Sequence, residues 1–267
     1  MRLAWLTDIH LDFVDHPRFE QLCREVQEVQ ADGVLIGGDI AQAKDFDTWL
    51  EAMADTIDAP IYFVLGNHDY YGGTIEAVRQ RAAALTTRCP QSVGWLPALG
   101  PIALTDGATL VGHGGWGDGR LGDFMGSTIV LNDYLRIGDL LHAGADKATL
   151  QHKLMTLGDD AASGLRQHLL SALARGPRVV LLTHVPPFHG ACWYEGRLSD
   201  DNWLPHFTCD AVGRMILEVM EQHQAHQLTV LCGHTHSPGR YDPLPNVTVW
   251  TAGAVYREPK VDRVLTV

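Results

Sequence analysis

Asn67, His68 and Asp69 follow directly on Leu65-Gly66, at the end of the apolar run Ile61 to Val64. An amide there can offer a neutral oxygen to a cation, an imidazole can move a proton, and a carboxylate can hold that imidazole in one tautomer. Four other apolar runs end the same way. Asp8 and His10 follow Leu3 to Leu6, two residues apart, so that in extended chain both point to one side. Asp39 follows Gly37-Gly38, His184 follows Thr183, and His234 and His236 flank Thr235 after Gly233. Each set alone suits an ordinary polar loop, and His113, His189 and His206 read that way. Five sets in one chain match a two-metal site.

The elements that must carry these residues alternate. Leu3 to Leu6, Gly33 to Ile36 and Ile61 to Leu65 read as buried strands. Amphipathic helices lie between and after them, from Pro17 to Gln30, from Phe46 to Ile57, and from Ile75 to near Pro90. The order β-α-β-α-β-α predicts a parallel sheet with right-handed crossovers, and such sheets bind ligands outside the carboxyl ends of their strands. Three short strands between Val93 and Val111 read as a meander. A glycine-rich stretch from 112 to 146 and a loop from 188 to 207 read as insertions, with a helical segment through Leu173 between them. Strands follow at Arg178 to Leu182, Leu228 to Leu231, Val247 to Trp250 and Arg263 to Val267, and Asp210 is placed to cap a helix.

With 267 residues, 46% hydrophobic and 19% charged, the chain has globular composition. We read it as one domain spanning 1–267. A formal charge of −12 argues against broad binding to nucleic acid or anionic membrane, because no basic field is available to release counterions. The expected partner is a small phosphoester substrate, with no nucleic acid and no membrane. Five scattered cysteines, none in a C-x-x-C pair, suit reduced thiols. No apolar run reaches the roughly 18 residues of a membrane span. Thr7-Asp8 cuts short the apolar start, against a signal peptide. The expected location is cytoplasmic.

The ordered set Asp8-x-His10, Gly38-Asp39, Gly66-Asn67-His68-Asp69, Thr183-His184 and Gly233-His234-x-His236 resembles the calcineurin-like metallophosphoesterase superfamily. The resemblance runs from residue 8 to residue 236. It implies an α/β fold, a four-layer α/β/β/α sandwich, with a dinuclear site at the sheet edge. It also implies that Asp8, His10, Asp39 and His236 hold one ion, and that Asp39 bridges to a second held by Asn67, His184 and His234. Oxygen and imidazole donors in that proportion suit two divalent transition-metal ions such as manganese, iron or zinc, rather than calcium or magnesium.

The expected reaction is phosphoester hydrolysis by in-line attack of a metal-bridging hydroxide. His68 would protonate the leaving oxygen while Asp69 holds it. Phosphodiesters are placed ahead of phosphomonoesters, since chain length and motif set also resemble class III cyclic-nucleotide phosphodiesterases. The alternative is a catalytically inactive scaffold of the same fold, which would be expected to have lost ligands or the proton donor. Gln42 stands where many relatives have an acidic or amide residue three positions after the bridging Asp, so a tuned loop is expected there. Within the insertions, His113, Trp116 and Asp133, and Trp193, Tyr194 and His206, are the side chains most able to stack on or hydrogen-bond a leaving group. The aromatic ones could equally pin the loops to the sandwich.

Overall fold

The computed structural model describes residues 1–105, 107–144 and 146–267; Ala145, inside the first expected insertion, lies outside the described residues. The first half alternates β1 (Arg2–Leu6), α1 (His16–Glu28), β2 (Gly33–Ile36), α2 (Phe46–Thr56), β3 (Ile61–Phe63), α3 (Ile75–Arg88) and β4 (Val93–Trp95). Then come α4 (Leu96–Leu99), β5 (Ile102–Thr105), β6 (Ala108–Gly112), the short α5 (Asp133–Arg136) and α6 (Gly138–Leu141), and the long α7 (Lys147–Leu173). β7 (Arg178–Leu182) precedes a small hairpin of β8 (Trp193–Tyr194) and β9 (Arg197–Leu198), then α8 (Leu204–Phe207) and α9 (Asp210–Glu221). The chain ends with β10 (Gln227–Cys232), β11 (Gly239–Leu244), β12 (Val247–Thr251) and β13 (Arg263–Thr266).

Local chemistry sets several boundaries. Asp15 caps α1 by accepting the Arg18 N–H, and Thr74 and Asp146 do the same for α3 and α7. The cap expected at Asp210 is not formed, because Asp210 is already the first helical residue and Cys209 holds the cap position. Asp118 instead reaches across and accepts the Ala211 N–H at 2.9 Å, leaving Asp210 to pair with Arg214.

Two sheets result. The first has the order β13-β1-β2-β3-β4, parallel except for β13, and the second has the order β11-β12-β10-β7-β6-β5, parallel except for its two edges. The meander expected between Val93 and Val111 is therefore split. β4 extends the β-α-β series of the first sheet, while β5 and β6 form a hairpin in the second. β11 had no clear sequence signal, since Pro243 lies in it; it is an edge strand with a register shift, where proline is tolerated.

Strand alternation builds the layers. Leu3, Trp5 and Leu35 meet Leu110, Val180, Leu182 and Leu231 between the sheets. Their neighbours Ala4, Leu6, Val34 and Ile36 pack outward with Phe19 and Leu22 of α1 and Leu50 of α2. Val111, Leu181 and Val230 pack outward with Leu165 of α7 and Ile216 of α9. A period of two places successive side chains on opposite faces, and two such sheets face to face with helices outside make the α/β/β/α sandwich.

Candidate metal centre

Strain concentrates where the expected ligands lie. Among the described residues eight non-glycine residues have positive φ, and five of them are Asp8 (53°), His10 (42°), Asp39 (52°), His234 (71°) and His236 (57°). Left-handed backbone at a non-glycine residue costs free energy and persists only where its surroundings hold it. Here the Asp8 N–H donates to Gly38 O at 3.0 Å and the His10 N–H to Asp39 O at 2.9 Å, while the His234 N–H donates to the Asp8 carboxylate. Two glycines are sterically required. A Cβ at Gly66 would overlap Asp39 Oδ1, and one at Gly233 would overlap Asp8 Oδ2.

Asp8, His10, Asp39 and His236 bring one ligand atom each within 4.8 Å of one another. His10 Nε2 lies 3.2 Å from His236 Nε2, and His236 Nε2 lies 3.3 Å from Asp8 Oδ1. Burial, helped by the charge of Asp8 and Asp69, pushes the Asp39 carboxyl well above the usual range. Burial also drives His10 down to about 2. Buried carboxylates beside neutral imidazoles are costly without a cation among them.

A second cluster shares Asp39. His184 Nε2 and His234 Nδ1 each lie 3.0 Å from Asn67 Oδ1, and His184 Nε2 is 3.4 Å from Asp39 Oδ1. Each ring has its other nitrogen against a carbonyl: His184 Nδ1 faces Gly37 O at 2.9 Å, and His234 Nε2 faces His206 O at 3.3 Å. Burial lowers the pKa of both, His234 to about 3, so each ring carries a single N–H. Each neutral ring therefore turns a lone pair on at least one oxygen. A divalent cation held by Asn67, His184, His234 and Asp39 would remove that mismatch. Together the two clusters contain all seven expected ligand positions.

His68 stands beside both clusters, with Nε2 3.9 Å from Asp39 Oδ2 and its ring centred 4.6 Å from that of His10. Asp69 does not hold it. The Asp69 carboxylate is fully buried and accepts the N–H groups of Ile40 (2.9 Å), Ala41 (3.0 Å) and Gly66 (2.8 Å). In the tight turn His68–Tyr70, adjacent side chains diverge, so Asp69 faces inward and ties two strand-end loops together. His68 Nδ1 is buried without a hydrogen-bond partner among the described residues. Burial, with His184 next, lowers the His68 pKa to about 3.

A cleft of about 450 Å³ opens over the clusters. Asp133 and Tyr194 line it; the other four insertion candidates do not. His113 Nδ1 accepts the Gly115 N–H at 3.1 Å, and Trp116 packs in the core 5.2 Å from Tyr70. Trp193 packs against Gly239, where a Cβ would overlap its ring. The His206 ring is braced between Ser127 Oγ (2.8 Å) and Tyr134 Oη (2.6 Å). The sequence reading missed Tyr71, Trp203, Phe207 and Tyr256, all of which line the cleft. Tyr256 is centred 4.5 Å from the His10 ring and 5.0 Å from that of His236. Tyr71, four residues after Asn67, was the one within reach of a sequence argument. No spacing marks the others.

Among the described residues, no helix is long and apolar enough to cross a membrane. The fold is similar to that of a phosphopantetheinyl hydrolase from Mycobacterium tuberculosis (15% identity, TM-score 0.62, 96% of this chain and 89% of that one). It is also similar to a dimetal phosphatase from Danio rerio (12%, TM-score 0.59, 96% and 88%). A third similar structure is GAP50, the anchor in the inner membrane complex of Plasmodium (14%, TM-score 0.50, 95% and 71%). No curated protein sequence matches the chain. A sequence model of the calcineurin-like phosphoesterases matches residues 1–238, which include every expected ligand. Family and metal cluster together support metal-dependent phosphoester hydrolysis. The chain belongs to the calcineurin-like phosphoesterase family.

Proposed function

We propose that the protein hydrolyses a small phosphodiester at a dinuclear transition-metal centre. Asp8, His10, Asp39 and His236 would hold one ion, and Asp39, Asn67, His184 and His234 the other. The observation that carries this reading is the pair of imidazoles turned on the one Asn67 oxygen at 3.0 Å. Two divalent ions in such a site supply Lewis-acid charge for the phosphoryl oxygens and lower the pKa of water toward neutrality.

The chain's own residues supply the rest. His68, close to Asp39 yet outside both ligand sets, is placed to give a proton to the leaving oxygen. Because burial leaves it neutral in the free protein, the charge of the bound phosphate must raise its pKa before it can serve. A diester is favoured over a monoester by shape. Tyr194, Trp203 and Phe207, together with Tyr256, offer apolar surface to the second ester group. The five free cysteines support a reducing, cytoplasmic setting.

The test is a panel of phosphomonoesters and phosphodiesters, assayed with Mn²⁺ added to metal-stripped protein. Diester turnover above monoester turnover is the expected result. Metal binding without turnover of any ester would leave only a binding or scaffold role.

A further inference from the structure

The small helix α5 of the first insertion meets the expected ligand Asn67 through Asp133, and that contact is specific. Asp133 Oδ1 accepts from Asn67 Nδ2 at 2.8 Å and from Tyr71 Oη at 2.6 Å. Asn67 Nδ2 also donates to Tyr71 Oη at 3.1 Å. A carboxamide has two orientations related by a half-turn, one presenting its oxygen to the site and the other its NH₂. A carboxyl oxygen that already takes the Tyr71 hydroxyl proton is an acceptor there, so Asp133 Oδ1 selects the orientation that turns NH₂ toward itself. Asn67 Oδ1 is thereby left facing His184 and His234.

The same helix also fixes Tyr71 from a second side. The Arg136 guanidinium lies 4.7 Å over the Tyr71 ring, and that ring is centred 4.3 Å from His68. Arg136 Nη2 donates to Gln42 Oε1 at 2.9 Å, and Gln42 Nε2 donates to Asp12 Oδ2 at 2.7 Å. The Gly72 N–H donates to Arg136 O at 2.8 Å, closing the backbone connection. Gln42, the departure noted in the sequence, thus anchors the insertion to the loops of the first sheet.

We propose that Asp133, acting with Tyr71, is the positioning residue that sets Asn67 as a metal ligand, so that the first insertion controls the affinity of one metal position and not the other. This rests on the dinuclear reading above. It needs no contact between Asp133 and substrate.

The experiment is calorimetric titration of metal-stripped full-length chain with Mn²⁺ alone, for wild type, Asp133→Ala and Tyr71→Phe, with circular dichroism to check the fold. Wild type should bind two ions. Asp133→Ala should bind one ion as before and the other on the order of 10–100-fold more weakly, the range typical of partners that orient a ligand. Tyr71→Phe keeps the Asp133–Asn67 bond and should show a smaller loss at the same position; it carries the test alone if the alanine variant does not fold. Unchanged affinity at both positions, or equal losses at both, overturns the inference. Wild type binding fewer than two ions overturns the dinuclear reading and this inference with it.

Discussion

His184 Nε2 lies 3.0 Å from Asn67 Oδ1 while Nδ1 of the same ring lies 2.9 Å from Gly37 O. One neutral imidazole thus faces two oxygens with a single proton to give. His234 repeats the mismatch with its own two nitrogens. A buried polar group left this way costs roughly 1–3 kcal/mol, so the arrangement is suited to a cation that the side chains wait for.

Metal analysis of the purified protein should therefore find close to two transition-metal ions per chain. Asp39→Asn should weaken both positions together, because Asp39 lies 3.8 Å from His10 Nε2 through one oxygen and 3.4 Å from His184 Nε2 through the other. His236→Ala should mainly empty one position. Full metal content and full activity in Asp39→Asn would refute the bridge.

The two positions should differ in pH dependence. Burial lowers the pKa of both His184 and His234, the latter to about 3, so metal binding there should release little proton from these rings. At His236 burial also acts downward, but the bond to Asp8 outweighs it and raises the pKa. Below that pKa metal entering there must displace the His236 proton, beyond any released by Asp39, which both positions share, so affinity at that position should fall about tenfold for each unit by which the pH drops further. Mn²⁺ titrations at pH 6 and 7.5, in two buffers of different ionisation heat, measure the released proton at each position. Equal proton release at both positions contradicts this account.

Asp69 is a structural brace, and its loss should be read in stability. Asp69→Ala leaves the N–H groups of Ile40, Ala41 and Gly66 buried without an acceptor. At roughly 1–3 kcal/mol for each, the variant should lose several kcal/mol of a total near 5–15. Urea denaturation of the metal-free chains measures it. An alanine variant as stable as wild type would remove Asp69 from this role.

The contrast between Asp69 and its neighbours shows where the sequence is legible. Several candidate positions follow glycines at the ends of apolar strands, and close backbone approach at Gly66 and Gly233 demands that pattern, so the polar sets at the strand ends could be read in order. Direction within a tight turn is not written in residue type, and Asp69 was mistaken for the partner of His68. The insertions were harder still. Asp133 meets Asn67 at a sequence separation of 66, and Tyr256 reaches His10 from the far end of the chain. Neither pairing has a periodicity to announce it. Trp193 and Trp116 misled for the opposite reason, since a large aromatic residue in a loop packs as readily as it recognises.

His68 can be separated from the ligands by choice of leaving group. Its Nε2 is 3.9 Å from Asp39 Oδ2, and no metal assignment requires it. A general acid matters in proportion to how badly the departing oxygen needs a proton. An alkoxide needs one, whereas p-nitrophenolate leaves adequately without it. His68→Ala should thus lose on the order of 10²–10⁴-fold with an alkyl phosphoester and much less with a p-nitrophenyl ester. Metal content should stay near the wild-type value. Tyr71, whose ring packs 4.3 Å from His68, supplies an internal control, because Tyr71→Phe keeps the ring and removes only the hydroxyl. That variant should affect both esters alike, through Asn67. Parallel losses in His68→Ala itself, or loss of metal from it, would mean that the imidazole supports the ligands or binds the phosphoryl oxygen instead of donating a proton.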